Sequence, residues 1–302
     1  MNVLLTGAFP DDAAQIRKIE NLGCTVEFVQ EERETLSLDC AWFDAVVCNS
    51  LFLYNDIEAF KRLRYIQLTS AGLERAPLVY IREHGIALQN ARGVYSVPMA
   101  EWIVLKILEI YKDSKGFYAQ QKEKRWKKNR NLLELNGKTA CIVGAGSIGQ
   151  EAARRLQAFD AAVIAVDVCD VRCPFIDRVF PIQELDTALA QSDIVVLTLP
   201  LTPDTRHLFD RARFANMKDT AGLVNVARGA VIKEEDLVRA LADGKLLGAA
   251  LDVFEDEPLA QDSPLWDMDR VIITPHNSFV SDRVNDRLFA CIYNNLLQYM
   301  NR

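Results

Sequence analysis

Histidine is scarce in this chain: three in 302 residues, at His84, His207 and His276. None of them neighbours a cysteine pair, and Cys169 with Cys173 alone cannot fill the four positions of a zinc site, so no metal is expected. The seven cysteines are odd in number and scattered, at Cys24, Cys40, Cys48, Cys141, Cys169, Cys173 and Cys291, mostly among apolar neighbours. That argues for buried free thiols and against a disulfide framework. An excess of positive charge is also missing. Lys and Arg total 35 against 42 Asp and Glu, giving a net charge of −7 with the signs mixed along the chain, which disfavours nucleic acid as a partner. No apolar run is long enough to cross a bilayer, and the opening MNVLLTGAFPDD lacks a basic leader with an apolar core. No membrane partner is expected, and a cytoplasmic location is. Internal repeats and low-complexity linkers are absent as well. With half of the residues apolar, the length suits two domains with a core each.

One stretch organises the rest, KTACIVGAGSIGQEAARRLQAFDAAVIAVD, from Lys138 to Asp167. Thr139 to Val143 reads as a strand, followed by Gly144, Gly146 and Gly149 in the spacing G-x-G-x-x-G. Gly144 would make a tight turn, Gly146 would let a pyrophosphate approach the backbone, and Gly149 would let the opening helix pack on the strand. Ser147 and Ile148 then lie in a helix N-terminus whose unpaired N–H groups and positive dipole end face the phosphates. Ile148, Ala152, Leu156 and Phe159 recur at helical spacing as its buried face, with Arg154 and Arg155 on the solvent side. Ala161 to Val166 reads as the next strand and ends at Asp167, eighteen residues past Gly149. A carboxylate there accepts from both adenosine ribose hydroxyls and repels a 2′-phosphate, which favours NAD over NADP.

Upstream, Asn2 to Leu5, Thr25 to Val29, Asp44 to Cys48, Tyr65 to Leu68 and Ile86 to Gln89 read as short strands, with a helix over Asp11 to Leu22. They make a small parallel α/β domain. The loop Thr69-Ser70-Ala71-Gly72 follows a strand, where open α/β sheets present backbone amides to ligands. A long helix, PMAEWIVLKILEIYK, is too apolar for water on every side, and the basic, aromatic GFYAQQKEKRWKKNR after it reads as an arm packing on a partner subunit. Downstream, Ile194 to Leu199, Leu223 to Ala227, Ala249 to Phe254 and Val271 to Thr274 are apolar runs without alternation, as in central strands of a doubly wound parallel sheet. Ile232 to Ala242 and Ser281 to Tyr299 read as helices, the last one returning to the first domain.

Three of those later strands end in chemistry: Arg228 after LVNVA, Asp252 and Glu257 in ALDVFEDEP, and His276 after IITP. An arginine fork can anchor a carboxylate and polarise a carbonyl. A histidine can move a proton near neutral pH, and a carboxylate bonded to it fixes its tautomer. Hydride reduction of a 2-oxo acid needs this set. His84 reads as a turn residue, His207 as a structural hydrogen-bonding group, and Glu255 with Asp256 as loop charges.

Over nearly its whole length the chain resembles the D-isomer-specific 2-hydroxyacid dehydrogenase family, through TSAGLE, NARGVYSVPMAEW, VGAGSIG, LPLTPDTRHL, NVARG, ALDVFEDEP and TPHNS. The resemblance implies an α/β fold of two doubly wound parallel-sheet domains. A Rossmann NAD-binding domain, 97–278, would be inserted in a flavodoxin-like substrate domain, 1–96 plus 279–302, with the active site between them. Helix and arm 97–130 would form a homodimer. It further implies that Arg228 binds substrate, that His276 is the acid/base, and that Glu257 pairs with it. Ser70, Ala71 and Gly72 would hold the substrate carboxylate, and Asp252 would lie near the nicotinamide carboxamide. Leu199, Pro200, Thr205, Val226 and Ala227 would line the cofactor together with the glycine turn and Asp167. The expected activity is NAD-dependent interconversion of a small 2-hydroxy and 2-oxo acid. The alternatives are a 3-phosphoglycerate dehydrogenase-like enzyme, in which Arg75 and Arg92 could meet a phosphate, and a catalytically silent, corepressor-like NAD-binding protein.

Overall fold

Short runs of β-branched and aliphatic residues build two parallel sheets in the computed structural model, which describes residues 1–9 and 12–301. The sheets belong to two units, Met1–Tyr95 with Ser281–Arg302 and Ser96–Val280. In the first, β1 (Asn2–Thr6), α1 (Ala13–Glu20), β2 (Thr25–Val29), β3 (Ala45–Cys48), β4 (Tyr65–Leu68), α2 (Leu78–Glu83) and β5 (Ala87–Gln89) follow one another. The sheet order is β2-β1-β3-β4-β5, a doubly wound order that reverses between β1 and β3. Asp12 caps α1 by accepting from the amides of Ala14 and Gln15, and the expected start at Asp11 lies outside the described residues.

The strand period of two sorts this unit's core into faces. Val3, Leu5, Ala45, Val47 and Tyr65 point to one side, and Leu4, Val46, Cys48, Ile66 and Leu68 to the other. Glu32, buried, ties the ends of β1 and β3 by accepting from Thr6 Oγ1 at 2.6 Å and from the amides of Asn49 and Ser50 at 3.0 and 2.6 Å.

The second unit begins with α3 (Ser96–Tyr111) and α4 (Ser114–Lys122), then β6 (Thr139–Val143), α5 (Ser147–Gln157), β7 (Ala162–Asp167) and β8 (Arg178–Pro181). It continues through α6 (Leu185–Gln191), β9 (Ile194–Leu197), α7 (Arg211–Asn216), β10 (Gly222–Asn225), α8 (Glu234–Ala242), β11 (Gly248–Leu251) and β12 (Val271–Ile273). Its sheet runs β12-β11-β10-β9-β6-β7-β8, every pairing parallel, and reverses between β9 and β6. The strands are buried on both faces, which is why they read as unbroken apolar runs. One face carries α6, α7 and α8 through Leu189, Phe214, Leu237 and Leu241. The other lies under α3 and α5, where Gly222 and Gly248 leave room for Ile110. Finally α9 (Val284–Met300) packs Leu288, Ile292 and Leu296 into the core of the first unit.

Several details differ from the expectation. Strand β8 was not anticipated, because RVFP carries a charge and a proline that suit only a short edge strand. Phe159 is 42% exposed, since α5 ends at Gln157, and Ala153 takes its place in the buried face. Arg155 is not a solvent-side residue: it is half-buried, bonded to Glu151 and within 3.4 Å of Glu101. Among the cysteines, all free, Cys169 is exposed, whereas burial pushes the Cys141 thiol up to about 12.

Candidate active site

The polar residues of the second unit collect along the carboxyl edge of its sheet, in an order set by the strands. Across the sheet from β12 to β7, that edge presents His276, Asp252, Arg228, Leu199, Gly144 and Asp167. The sheet reverses between Leu199 and Gly144, where parallel α/β sheets open a crevice for ligands.

The glycine turn has the shape its spacing implies. Gly144 sits at φ +97°, and a Cβ there would stand 2.6 Å from the amide nitrogen of Leu199. A Cβ on Gly149 would stand 2.5 Å from the Gly144 carbonyl and 2.8 Å from Ile142, so only glycine seats α5 on β6. Gly146 meets nothing within 4 Å. That open space lies at the N-terminus of α5, which has no side-chain cap, so the first-turn amides at Ser147, Ile148 and Gly149 face it without an acceptor among the described residues. A dinucleotide pyrophosphate fits this cradle. Asp167 accepts from the amide of Ala145 at 2.7 Å and from that of Cys169 at 2.9 Å, so it also fixes the turn. Each carboxylate oxygen keeps a lone pair for a ribose hydroxyl.

On the next strand Leu199 is buried against Gly144, while Thr205 closes its own loop on the carbonyl of Pro200 at 2.8 Å and takes the Thr202 amide at 2.7 Å. Val226 and Ala227 are buried at the end of β10. Their turn is shaped by Asn225, fully buried, whose side chain accepts from the Ala227 amide and donates to the Arg228 carbonyl. Arg228 is thereby presented beyond the sheet in extended conformation, with Nη1 donating to the Ala227 carbonyl at 2.7 Å.

Asp252 is 2% exposed and spends both carboxylate oxygens on one segment: Thr274 Oγ1 at 2.6 Å and the amides of Asn277 and Ser278, each at 2.9 Å. Its carbonyl accepts from the amide of His276 at 2.8 Å. In the structure, then, Asp252 is the peg around which residues 274–278 turn. His276, at φ +51°, is held in that turn with its ring outward. Its Nδ1 lies 2.8 Å from Glu257 Oε2, and Glu257 Oε1 accepts from the amide of Phe254 at 3.1 Å. An ionised carboxylate only accepts, so Nδ1 carries the hydrogen and Nε2, without a partner among the described residues, is the nitrogen left for chemistry.

Residues that the sequence reading passed over are Asn225, Thr274 and, in the other unit, Asn90. There the loop after β4 has its carbonyls engaged one after another: Thr69 by the Tyr95 hydroxyl, Ser70 by the Ala91 amide, Ala71 by Asn90 Nδ2 and Gly72 by Ser70 Oγ. The amides of Ser70, Ala71 and Gly72 meet no acceptor among the described residues. Such a row of free N–H groups is an anion receptor.

Residues 104–278 match the family model described as D-isomer specific 2-hydroxyacid dehydrogenase, NAD binding domain. A glyoxylate reductase of Thermofilum pendens is 37% identical over 80% of this chain and 73% of its own length. A D-3-phosphoglycerate dehydrogenase of Archaeoglobus fulgidus is 31% identical over 91% of this chain, which spans 53% of that longer protein. Among solved structures, D-lactate dehydrogenase of Aquifex aeolicus, complexed with NAD and lactic acid, superposes with a TM-score of 0.80 at 26% identity, covering 99% of this chain and 96% of that one.

Proposed function

Because the chain belongs to the D-isomer-specific 2-hydroxyacid dehydrogenase family, we propose that it is a cytoplasmic, NAD-dependent reductase of small 2-oxo acids, working reversibly on the matching D-2-hydroxy acids. The observation that carries this reading is the Glu257–His276 pair, 2.8 Å apart, two strands along the same sheet edge from Arg228. In the reduction direction NADH, when bound at the glycine turn, supplies the hydride for the carbonyl carbon. Arg228 pairs with the substrate's carboxylate and polarises its carbonyl. His276 gives its Nε2 proton to the carbonyl oxygen, and Glu257 stabilises the imidazolium before transfer. In the other unit, the amides of Ser70, Ala71 and Gly72 are suited by their free N–H groups to a carboxylate. Leu199, Pro200, Thr205, Val226, Ala227 and Asp252 line the nicotinamide half of the cofactor, with Asp252 acting chiefly through the His276 turn.

The relatives point to glyoxylate and hydroxypyruvate as the first substrates to try, and three of them support a second reading, oxidation of 3-phosphoglycerate. NADH oxidation with glyoxylate, hydroxypyruvate, pyruvate and 3-phosphohydroxypyruvate separates these. Turnover of the first three overturns the phosphoglycerate reading, turnover confined to the phosphorylated acid supports it, and NADH binding with no turnover at all leaves a silent regulatory protein.

Asp167 sets the cofactor preference. A 2′-phosphate would bring a second anion to the end of β7, so kcat/KM should favour NADH over NADPH by at least about tenfold, roughly 1.4 kcal/mol. Asp167→Ser should narrow the ratio, and a wild-type ratio favouring NADPH would refute the assignment.

We also propose a homodimer built on α3 and the segment after it. Leu105 on α3 is 46% exposed, Tyr118 on α4 65%, and Trp126 97%, a concentration of apolar surface that a second copy would cover. Light scattering at micromolar concentration should give twice the chain mass, and a stable active monomer would sink the proposal.

A further inference from the structure

Glu255 stands two residues from the reacting pair and was expected to be a loop charge, yet both of its carboxylate oxygens are placed. Oε1 accepts from the amide of Glu234 at 3.0 Å. Glu234 opens α8, whose own N-cap residue Lys233 offers no side-chain cap, so Glu255 does that work from another strand's loop. Oε2 lies 3.2 Å from Nε2 of His207. That nitrogen is buried and finds no acceptor in hydrogen-bond alignment among the described residues, so Glu255 is the carboxylate it lies against. His207 is in turn fixed at φ +53°, with its amide donating to the carbonyl of Ala230 at 2.8 Å.

The backbone beside Glu255 is equally constrained. A Cβ on Gly229 would stand 1.8 Å from the carbonyl carbon of Phe254 and 2.3 Å from the amide nitrogen of Glu255. The arginine loop and the glutamate loop therefore touch main chain to main chain, directly after Arg228. The amide of Phe254, one residue before Glu255, holds Glu257 Oε1. A ring of contacts thus joins Arg228–Ala230 to His207, His207 to Glu255, Glu255 to α8, and the same loop to Glu257 and His276. The titratable groups around Glu255 in this ring are His207, Glu234 and Asp256, and burial, followed by the nearness of the Glu255 and Asp256 carboxylates, raises the Glu234 carboxyl.

We propose that Glu255 is a positioning residue: by pinning the loop between Asp252 and Glu257 to His207 and to the start of α8, it sets where the Glu257 carboxylate meets His276. This rests on the function proposed above for its kinetic consequence but not for its structural one. The test uses the full chain, wild type, Glu255→Ala, Glu255→Gln and His207→Ala. Long-range proton–nitrogen NMR of the imidazoles is readable because the chain has only three histidines. In Glu255→Ala the His276 Nδ1 proton bonded to Glu257 should be lost to exchange. In Glu255→Gln, whose side-chain carbonyl still accepts from α8, it should persist. Turnover with the preferred 2-oxo acid should fall by about tenfold in Glu255→Ala, within the range that small misplacements of reacting groups produce. KM and NADH affinity should stay within about twofold, Glu255→Gln should recover most of the loss, and His207→Ala should fall between the two. If Glu255→Ala does not fold, His207→Ala carries the test, since it breaks the ring and leaves the cap of α8 in place. An unmoved His276 signal and unchanged kcat in the folded variants overturn the proposal. Loss of the NMR signal in Glu255→Ala, beside a wild type that shows it but reduces no 2-oxo acid, would instead overturn the functional reading and leave the positioning role standing.

Discussion

Arg228→Ala should lower kcat/KM for 2-oxo acid reduction by about a thousandfold, while NADH binds nearly as tightly as before. The magnitude follows from what is removed: a preorganised charged fork that anchors the substrate and meets charge developing on its carbonyl oxygen, the kind of contribution worth about two to three powers of ten for a single donor and more where binding is lost too. The selectivity follows from topology. Arg228 leaves β10, whereas the glycine turn and Asp167 leave β6 and β7, with β9 between. At about 4.8 Å per strand the pyrophosphate cradle is roughly 10 Å from the β10 end. The guanidinium donates to the Ala227 carbonyl at 2.7 Å, but the turn it leaves is shaped by the Asn225 side chain, so the fold of that turn survives on Asn225. Arg228→Lys should recover little, because an ammonium keeps the charge without the paired donors. Isothermal titration with NADH beside steady-state kinetics checks both halves, and a fall in NADH affinity matching the fall in kcat/KM would show that Arg228 serves the cofactor instead.

Which parts of this site can be read from residue order depends on how local their causes are. The glycine turn is legible because two of its glycines answer to a steric demand within a few residues or from the adjoining strand: Gly149 against Ile142, Gly144 against Leu199. The buried strands are legible for a similar reason, as both faces of each must be apolar. Their ends are not. LVNVARG reads as one apolar run to Ala227, yet β10 stops at Asn225, because that asparagine turns its side chain to the backbone of Ala227 and Arg228. Likewise ALDVF stops at Leu251, where Asp252 begins to serve Thr274, Asn277 and Ser278, more than twenty residues away in sequence. Glu255 is the clearest loss. Between Phe254 and Asp256 nothing distinguishes it from a solvated charge, and its partners Glu234 and His207 are brought to it only by the parallel order of β9, β10 and β11. Periodicity reports which face a residue takes, whereas these contacts depend on which strand lies next to which.

The Glu257–His276 pair offers the other large effect. His276→Ala should cost about two to four powers of ten in kcat, the usual yield of a positioned general acid. Glu257→Gln should cost less, about ten- to a hundredfold, since the amide keeps the shape and one acceptor oxygen while removing the charge that supports imidazolium. The contact at 2.8 Å makes a stricter demand. If Glu257 acts on the reaction only through His276, its loss is already contained in the loss of the histidine, and the double variant Glu257→Gln/His276→Ala should be no slower than His276→Ala alone. The second oxygen of Glu257, held by the Phe254 amide at 3.1 Å, keeps the carboxylate on its loop whether or not the histidine is present. Single-turnover rates with NADH in the three variants decide it. Additive losses would mean that Glu257 touches the substrate or the cofactor by itself, and a Glu257→Gln enzyme at wild-type rate would leave His276 as the acid without a carboxylate behind it.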